Sequence, residues 1–107
     1  MTSDKPIIRL FFAKMKSAFM ELPDEEKMAF MTKDRANLDQ LGMTAISMID
    51  CTDTNDEWDY IGVEGWPSME AIAEREKYEN EELQLSLYVE YKTYLGHEQS
   101  YETYGKE

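Results

Sequence analysis

The chain has 107 residues, a net charge of −12 and a single cysteine, Cys51. With 42% hydrophobic and 12% aromatic residues it holds too much core-forming material for a disordered chain, and no apolar run approaches the roughly 18 residues that a membrane span needs. One cysteine excludes an intrachain disulfide and a CxxC zinc site.

These bounds predict one soluble, cytoplasmic domain over 1–107, with a core at about 6–96 and a polar tail at 97–107. No secretion signal is expected, because Asp4, Lys5 and Pro6 lead into only a short apolar run. The charge is uneven. Residues 1–47 carry seven acids and seven bases; residues 48–107 carry sixteen acids and four bases. Such a surface repels phosphate backbones and anionic lipid, so neither nucleic acid nor a membrane is an expected partner. Solubility is the simplest use of the acids, and a basic protein partner is the alternative.

Residues 6–15, PIIRLFFAKM, are β-branched and aromatic and predict a first strand. Met15 to Leu22 reads as a connection or short helical turn. Pro23-Asp24-Glu25-Glu26 opens a helix, with proline early and carboxylates in the first turn, that runs to about Leu41 and stops at Gly42. Its expected inward face is Met28, Phe30, Met31, Leu38 and Leu41. Residues 43–51, MTAISMIDC, predict a second strand, 52–56 a turn, and 57–66, EWDYIGVEGW, a third strand. Ser68 is placed to cap a second helix with Met69, Ile72, Ala73 and Leu83 inward, an outer face that is nearly all glutamate, and a break near 79–82. Residues 88–95, YVEYKTYL, form a fourth strand.

The order β-α-β-β-α-β predicts a ferredoxin-like α+β fold: a four-stranded antiparallel sheet with both helices on one face. Such a sheet should alternate apolar and polar residues. These strands do not. Ile8, Leu10 and Phe12 oppose Ile7, Phe11 and Ala13; Ile61 and Val63 oppose Trp58, Tyr60 and Trp66. A face of several hundred Å² left bare is rare on a monomer, so a homodimer packed sheet to sheet is expected, with a lined cavity between the copies.

The element order, the doubly apolar strands and the junction Trp66-Pro67-Ser68-Met69-Glu70-Ala71 resemble the dimeric α+β barrel superfamily over about residues 6–96. That superfamily includes cofactor-free monooxygenases, haem-degrading enzymes, small isomerases, stress-induced proteins and uncharacterised bacterial members, and the chain is most similar to the last group. The resemblance implies a homodimer. No catalytic signature of the superfamily maps onto these residues.

Arg9 and Glu64 are the sharpest candidate pair: charged, mid-strand, among apolar neighbours, on the side expected to face the dimer. They read either as a structural ion pair or as a carboxylate-binding Arg9 with Glu64 as counter-ion or general base. Phe11, Trp58, Tyr60 and Trp66 fall on the same side by parity, as interface core or as the wall of a pocket for a flat ligand. His97, the only histidine, ends the fourth strand as a surface residue or as an acid/base at a barrel mouth. The site expectation is therefore catalytic Glu64, Tyr60 and His97, ligand-binding Arg9, Phe11, Trp58 and Trp66, and neither a metal nor a cofactor. Asp50, Asp53, Asp56 and Asp59 lack the calcium-loop spacing and read as a solvated turn.

Two functions follow. One is a homodimer that binds a small, flat, anionic organic molecule, with cofactor-free oxygenation or isomerisation as its chemistry. The other is a non-enzymatic stress-type or protein-interaction dimer.

Overall fold

The structure is a computed structural model that describes residues 6–106. β1 (Ile7–Met15) leads through a short α1 (Ser17–Met20) into α2 (Asp24–Gln40). β2 (Thr44–Asp50) and β3 (Tyr60–Trp66) form a hairpin, α3 (Met69–Glu81) crosses back, and β4 (Val89–His97) completes the sheet. The sheet is antiparallel with order β2-β3-β1-β4, so β1 and β3 are the central neighbours that the ferredoxin-like reading requires. No helix among the described residues is long and apolar enough to cross a membrane.

Local chemistry sets the element ends. Gly42 takes φ +86°, and the amides of Gly42 and Met43 donate to the carbonyls of Asp39 and Leu38. These bonds satisfy the last carbonyls of α2 through a left-handed residue that glycine adopts without strain. Ser68 caps α3 by accepting from the Ala71 amide at 3.1 Å. α3 ends at Glu81, and a single 3₁₀ turn, Leu85–Leu87, follows it. The third strand begins at Tyr60 rather than at residue 57, because the preceding loop is tied to β1 instead. The Asp59 amide donates to the Ala13 carbonyl at 2.9 Å, and the Asp59 carboxylate accepts from the Met15 amide.

The core is small and divided. Trp66, Leu38 and Ile72 form one cluster; Ala13, Leu83, Leu85 and Val89 form the other. Both lie on the helix-covered face. α2 spans this face like a bridge resting on two supports. Leu38 seats the C-terminal end against Trp66 and Ile72, and Phe30, near the middle of the helix, packs edge-on to Tyr88 and Phe19. Met28 and Met31, expected inward on α2, are exposed, and so are Met69 and Ala73 on α3. The buried positions of α3 are Ile72, Arg75 and Glu79. The glutamate-rich stretch is therefore not all outer surface.

Replacing Gly42 by alanine places a Cβ at positive φ, 3.4 Å from the Pro67 ring. The expected cost is about 1–2 kcal/mol, read as a lower urea midpoint with unchanged slope; an unaltered midpoint would mean that the α2 terminus is not held as described.

Candidate functional site

Arg9 and Glu64 meet as the register dictates, directly across β1 and β3. The face is the correction. Arg9, Phe11, Tyr60, Glu64 and Trp66 project toward the helices, not toward an open sheet surface, as the contacts of Arg9 with α3 and of Trp66 with both α2 and α3 require. Parity separates two faces of a strand but does not say which one the helices cover, and Arg9 and Glu64 need partners that only a helix supplies.

Those partners complete a buried ion network. Arg9 Nε donates to Glu64 Oε1 at 2.6 Å, and its Nη2 donates to Glu79 Oε2 at 3.2 Å. The Trp66 indole donates to the same Glu64 oxygen at 2.9 Å. Glu79 Oε2 also accepts from Arg75 Nε at 2.9 Å, and Arg75 continues to Asn37 and Asp34 on α2. The chain of bonds ties β3, β1, α3 and α2 together. Arg9 is only 1% exposed. Its guanidinium carbon lies over two rings, 5.3 Å from the Phe11 centre and 5.2 Å from that of Trp66, and its Nη1 is buried without a hydrogen-bond acceptor.

Burial works against the Arg9 charge, but the bond to Glu64 and the charges of Glu64 and Glu79 outweigh it and hold its pKa above the ordinary value. Glu79 is the opposite case. Burial pushes its pKa up, and the attraction of Arg9 and Arg75 recovers only part of the shift. Burial, with the Glu79 charge behind it, also raises Tyr91.

Beside the network lies a cavity of about 490 Å³, under the span of α2. Phe11, Ala13, Tyr60, Gly62 and Glu64 form its floor; Phe30, Met31, Asp34 and Leu38 of α2 form its roof. A second lobe of about 320 Å³ opens beside β2 and shares Asp34, Leu38, Met48, Gly62 and Glu64 with the first. The wall is mostly apolar, with Asp34, Glu64 and Arg75 as its charged groups, a composition typical of small-molecule sites. Met48 reaches the cavity because a register shift between Ala45 and Ser47 breaks the alternation of β2. Ala45 and Met48 thus share one face, and Ile46 turns to the other, where it meets Gly65. Plain alternation would place Met48 with Ile46 instead.

Of the expected site residues, Phe11, Tyr60 and Glu64 line the cavity and Arg9 buttresses Glu64 from behind. Trp66 is wholly buried core. Trp58 is separated from them. Outside the strand, it packs on the open face against Phe12 at 5.7 Å, with the Lys92 ammonium 5.3 Å from its ring. His97 is exposed and is not part of the cavity wall. Arg9 does not present a free fork for a ligand carboxylate, since Glu64 and Glu79 hold it. Asp34, Asn37, Arg75 and Glu79 were not anticipated. The signal for the last two was present: Ile72, Arg75, Glu79 and Leu83 recur at helical spacing and mark one inward stripe. Among the described residues no three His, Cys, Asp or Glu are grouped to hold a metal.

The architecture has solved counterparts. A mutant chlorite dismutase from Candidatus Nitrospira defluvii superposes with a TM-score of 0.68 at 10% identity, over 92% of this chain and 42% of that one. A hypothetical protein of Arabidopsis thaliana superposes with a TM-score of 0.56 at 11% identity, over 94% of both chains. The fold shared with both is the ferredoxin-like α+β arrangement, a four-stranded antiparallel sheet with helices packed on it. At these identities the likeness shows the fold alone, and the chain spans less than half of the chlorite dismutase chain. No family model and no curated protein matches the sequence.

The raised pKa of Glu79 has a definite sign. The folded state holds the Glu79 proton to higher pH than the unfolded chain, so this group costs stability as pH rises from about the ordinary value of 4.5 through its raised folded value. The stability of the native chain minus that of Glu79→Gln should fall across that window and level off above it. A pH-independent difference in urea unfolding would contradict the assignment.

Proposed function

We propose that the chain is a cytoplasmic homodimer of the α+β barrel type in which each protomer binds a small, flat organic molecule between α2 and the sheet. One observation carries the reading: a cavity of about 490 Å³ with an apolar wall and a few converging polar groups. Its volume is about three times the roughly 150 Å³ that accommodates benzene, so a fused-ring compound fits.

Glu64 is the group to which chemistry is assigned. Its Oε1 is held by Arg9 and Trp66, while no described residue donates to its Oε2, which lies 4.0 Å from where a side chain on Gly62 would begin. A carboxylate fixed at one oxygen and free at the other is suited to take a proton from a bound ring, with Tyr60 on the same wall to orient the substrate. Proton abstraction of this kind is what an isomerase, or a monooxygenase that activates its substrate without a cofactor, requires.

The homodimer rests on the other face. Ile8, Leu10, Phe12, Ile61 and Val63 share the face turned away from α2 and α3 among the described residues, and Ile46 and Tyr94 are 50% and 57% exposed. A second copy covers such a sheet and leaves the α2 cavity of each protomer intact.

Gly62 offers a direct test of the site, because its backbone is unstrained and a side chain there enters the cavity with only ordinary contacts. Gly62→Leu should fold and should abolish the rise in melting temperature that naphthalene-based compounds give the native protein. Native protein that responds to none of them would instead support the non-enzymatic dimer. Ile61→Glu should convert the species in sedimentation from dimer to monomer; a native chain that already sediments as a folded monomer would refute the dimer.

A further inference from the structure

The charge of the cavity wall selects among ligands. This step rests on the cavity's being the binding site. Three groups of the wall carry formal charge in the main lobe: Asp34, Glu64 and Arg75. Arg75 is committed through every nitrogen of its fork, with Nε on Glu79, Nη1 on Asn37 and Nη2 on Asp34. Arg9 lies behind the wall, held through Nε by Glu64 and through Nη2 by Glu79, and its unpaired Nη1 is buried rather than exposed to the cavity. No guanidinium of the main lobe is therefore free to receive a ligand carboxylate, and Arg35, at the solvent edge of the second lobe, is 60% exposed and bonded through Nε to Asp39.

The acids are in the reverse position. Asp34 is bonded through Oδ1 and Glu64 through Oε1, and no described residue donates to the second oxygen of either. Both residues belong to both lobes, so both stand where the lobes join. Taken with its partners, the buried cluster holds three carboxylates, Asp34, Glu64 and Glu79, against two guanidiniums, Arg9 and Arg75. With Glu79 ionised it is one positive charge short of balance, and an anion brought beside it would deepen the deficit. A donor would relieve it.

We infer that the ligand is a neutral or cationic aromatic molecule that presents a hydroxyl or amino hydrogen to Glu64 and Asp34 at the junction of the two lobes, and that aromatic carboxylates are rejected. This reverses the anionic ligand that Arg9 suggested in the sequence.

The test is calorimetric titration of the whole protein with four compounds of one shape: naphthalene, naphthol, naphthylmethylammonium and naphthoate. Naphthol and the ammonium should bind, and naphthoate should bind about tenfold more weakly or worse. Glu64→Gln, which keeps an oxygen for Arg9, should weaken the ammonium by about tenfold and leave naphthalene unchanged, which also reports that the cavity is intact. Asp34→Asn is the second variant, expected to act in the same direction. Naphthoate binding as well as the ammonium, or an ammonium affinity unmoved by either variant, overturns the inference while the cavity remains a site. Absence of binding by all four, naphthalene included, removes the site itself and the inference with it.

Discussion

The guanidinium of Arg9 is the fixed point of this molecule. A charge buried in the middle of a central strand is tolerated only if opposite charges and good hydrogen bonds surround it. Glu64 on the neighbouring strand supplies one partner and Glu79 on α3 another, and Arg75 then extends the bonding to α2. Removing one member of such a network strands the rest at a cost of about 3–5 kcal/mol. The network thus does what a continuous apolar core does elsewhere: it dictates where each helix sits over the sheet. Two small apolar clusters flank it, and neither alone would fix α2.

The cavity is a consequence of that arrangement. α2 is held by Leu38 near its C-terminus against Trp66 and by Phe30 near its middle against Tyr88, and between these supports it does not descend onto β3. Gly62 and Ala13 keep the floor low, while Met31 and Met48 supply flexible side chains at the rim that can adjust to an occupant. Structure and charge meet at Glu64. The same carboxylate that anchors Arg9 through one oxygen offers the other to the cavity, so the fold and the proposed site share a residue.

The sequence carried the architecture well, for physical reasons that are local. Strand propensity placed β1 and β4, Gly42 and Ser68 marked helix ends, and the order of elements left little choice of topology. That the strands are apolar on both faces was also legible, and Arg9 opposite Glu64 followed from strand adjacency. What alternation does not contain is the identity of the covered face. Arg9, Phe11, Tyr60, Glu64 and Trp66 were placed on the dimer side because a charged pair suggested a ligand between subunits; Glu79 and Arg75, one helix away, claim them instead. The acidic run of α3 hid these two among solvated neighbours, although their spacing from Ile72 and Leu83 gave them away. Trp58 was misplaced because its loop is tied to Ala13 and Lys14 and turns the ring to the other face. The shift in β2 has no signature in composition, so alternation alone does not place Ala45 and Met48 on one face.

The two faces divide the work: the helix-covered face holds the ion network and the cavity, and the open face of Ile8, Leu10, Phe12, Ile61 and Val63 is the one proposed for a second copy. Backbone amide and methyl NMR spectra recorded during titration with naphthol separate them most directly. The account predicts that the shifts concentrate at Phe11, Met31, Met48, Gly62 and Glu64. Shifts centred on Leu10, Phe12 and Ile61 would contradict it, because they would place the ligand between paired sheets rather than beneath α2.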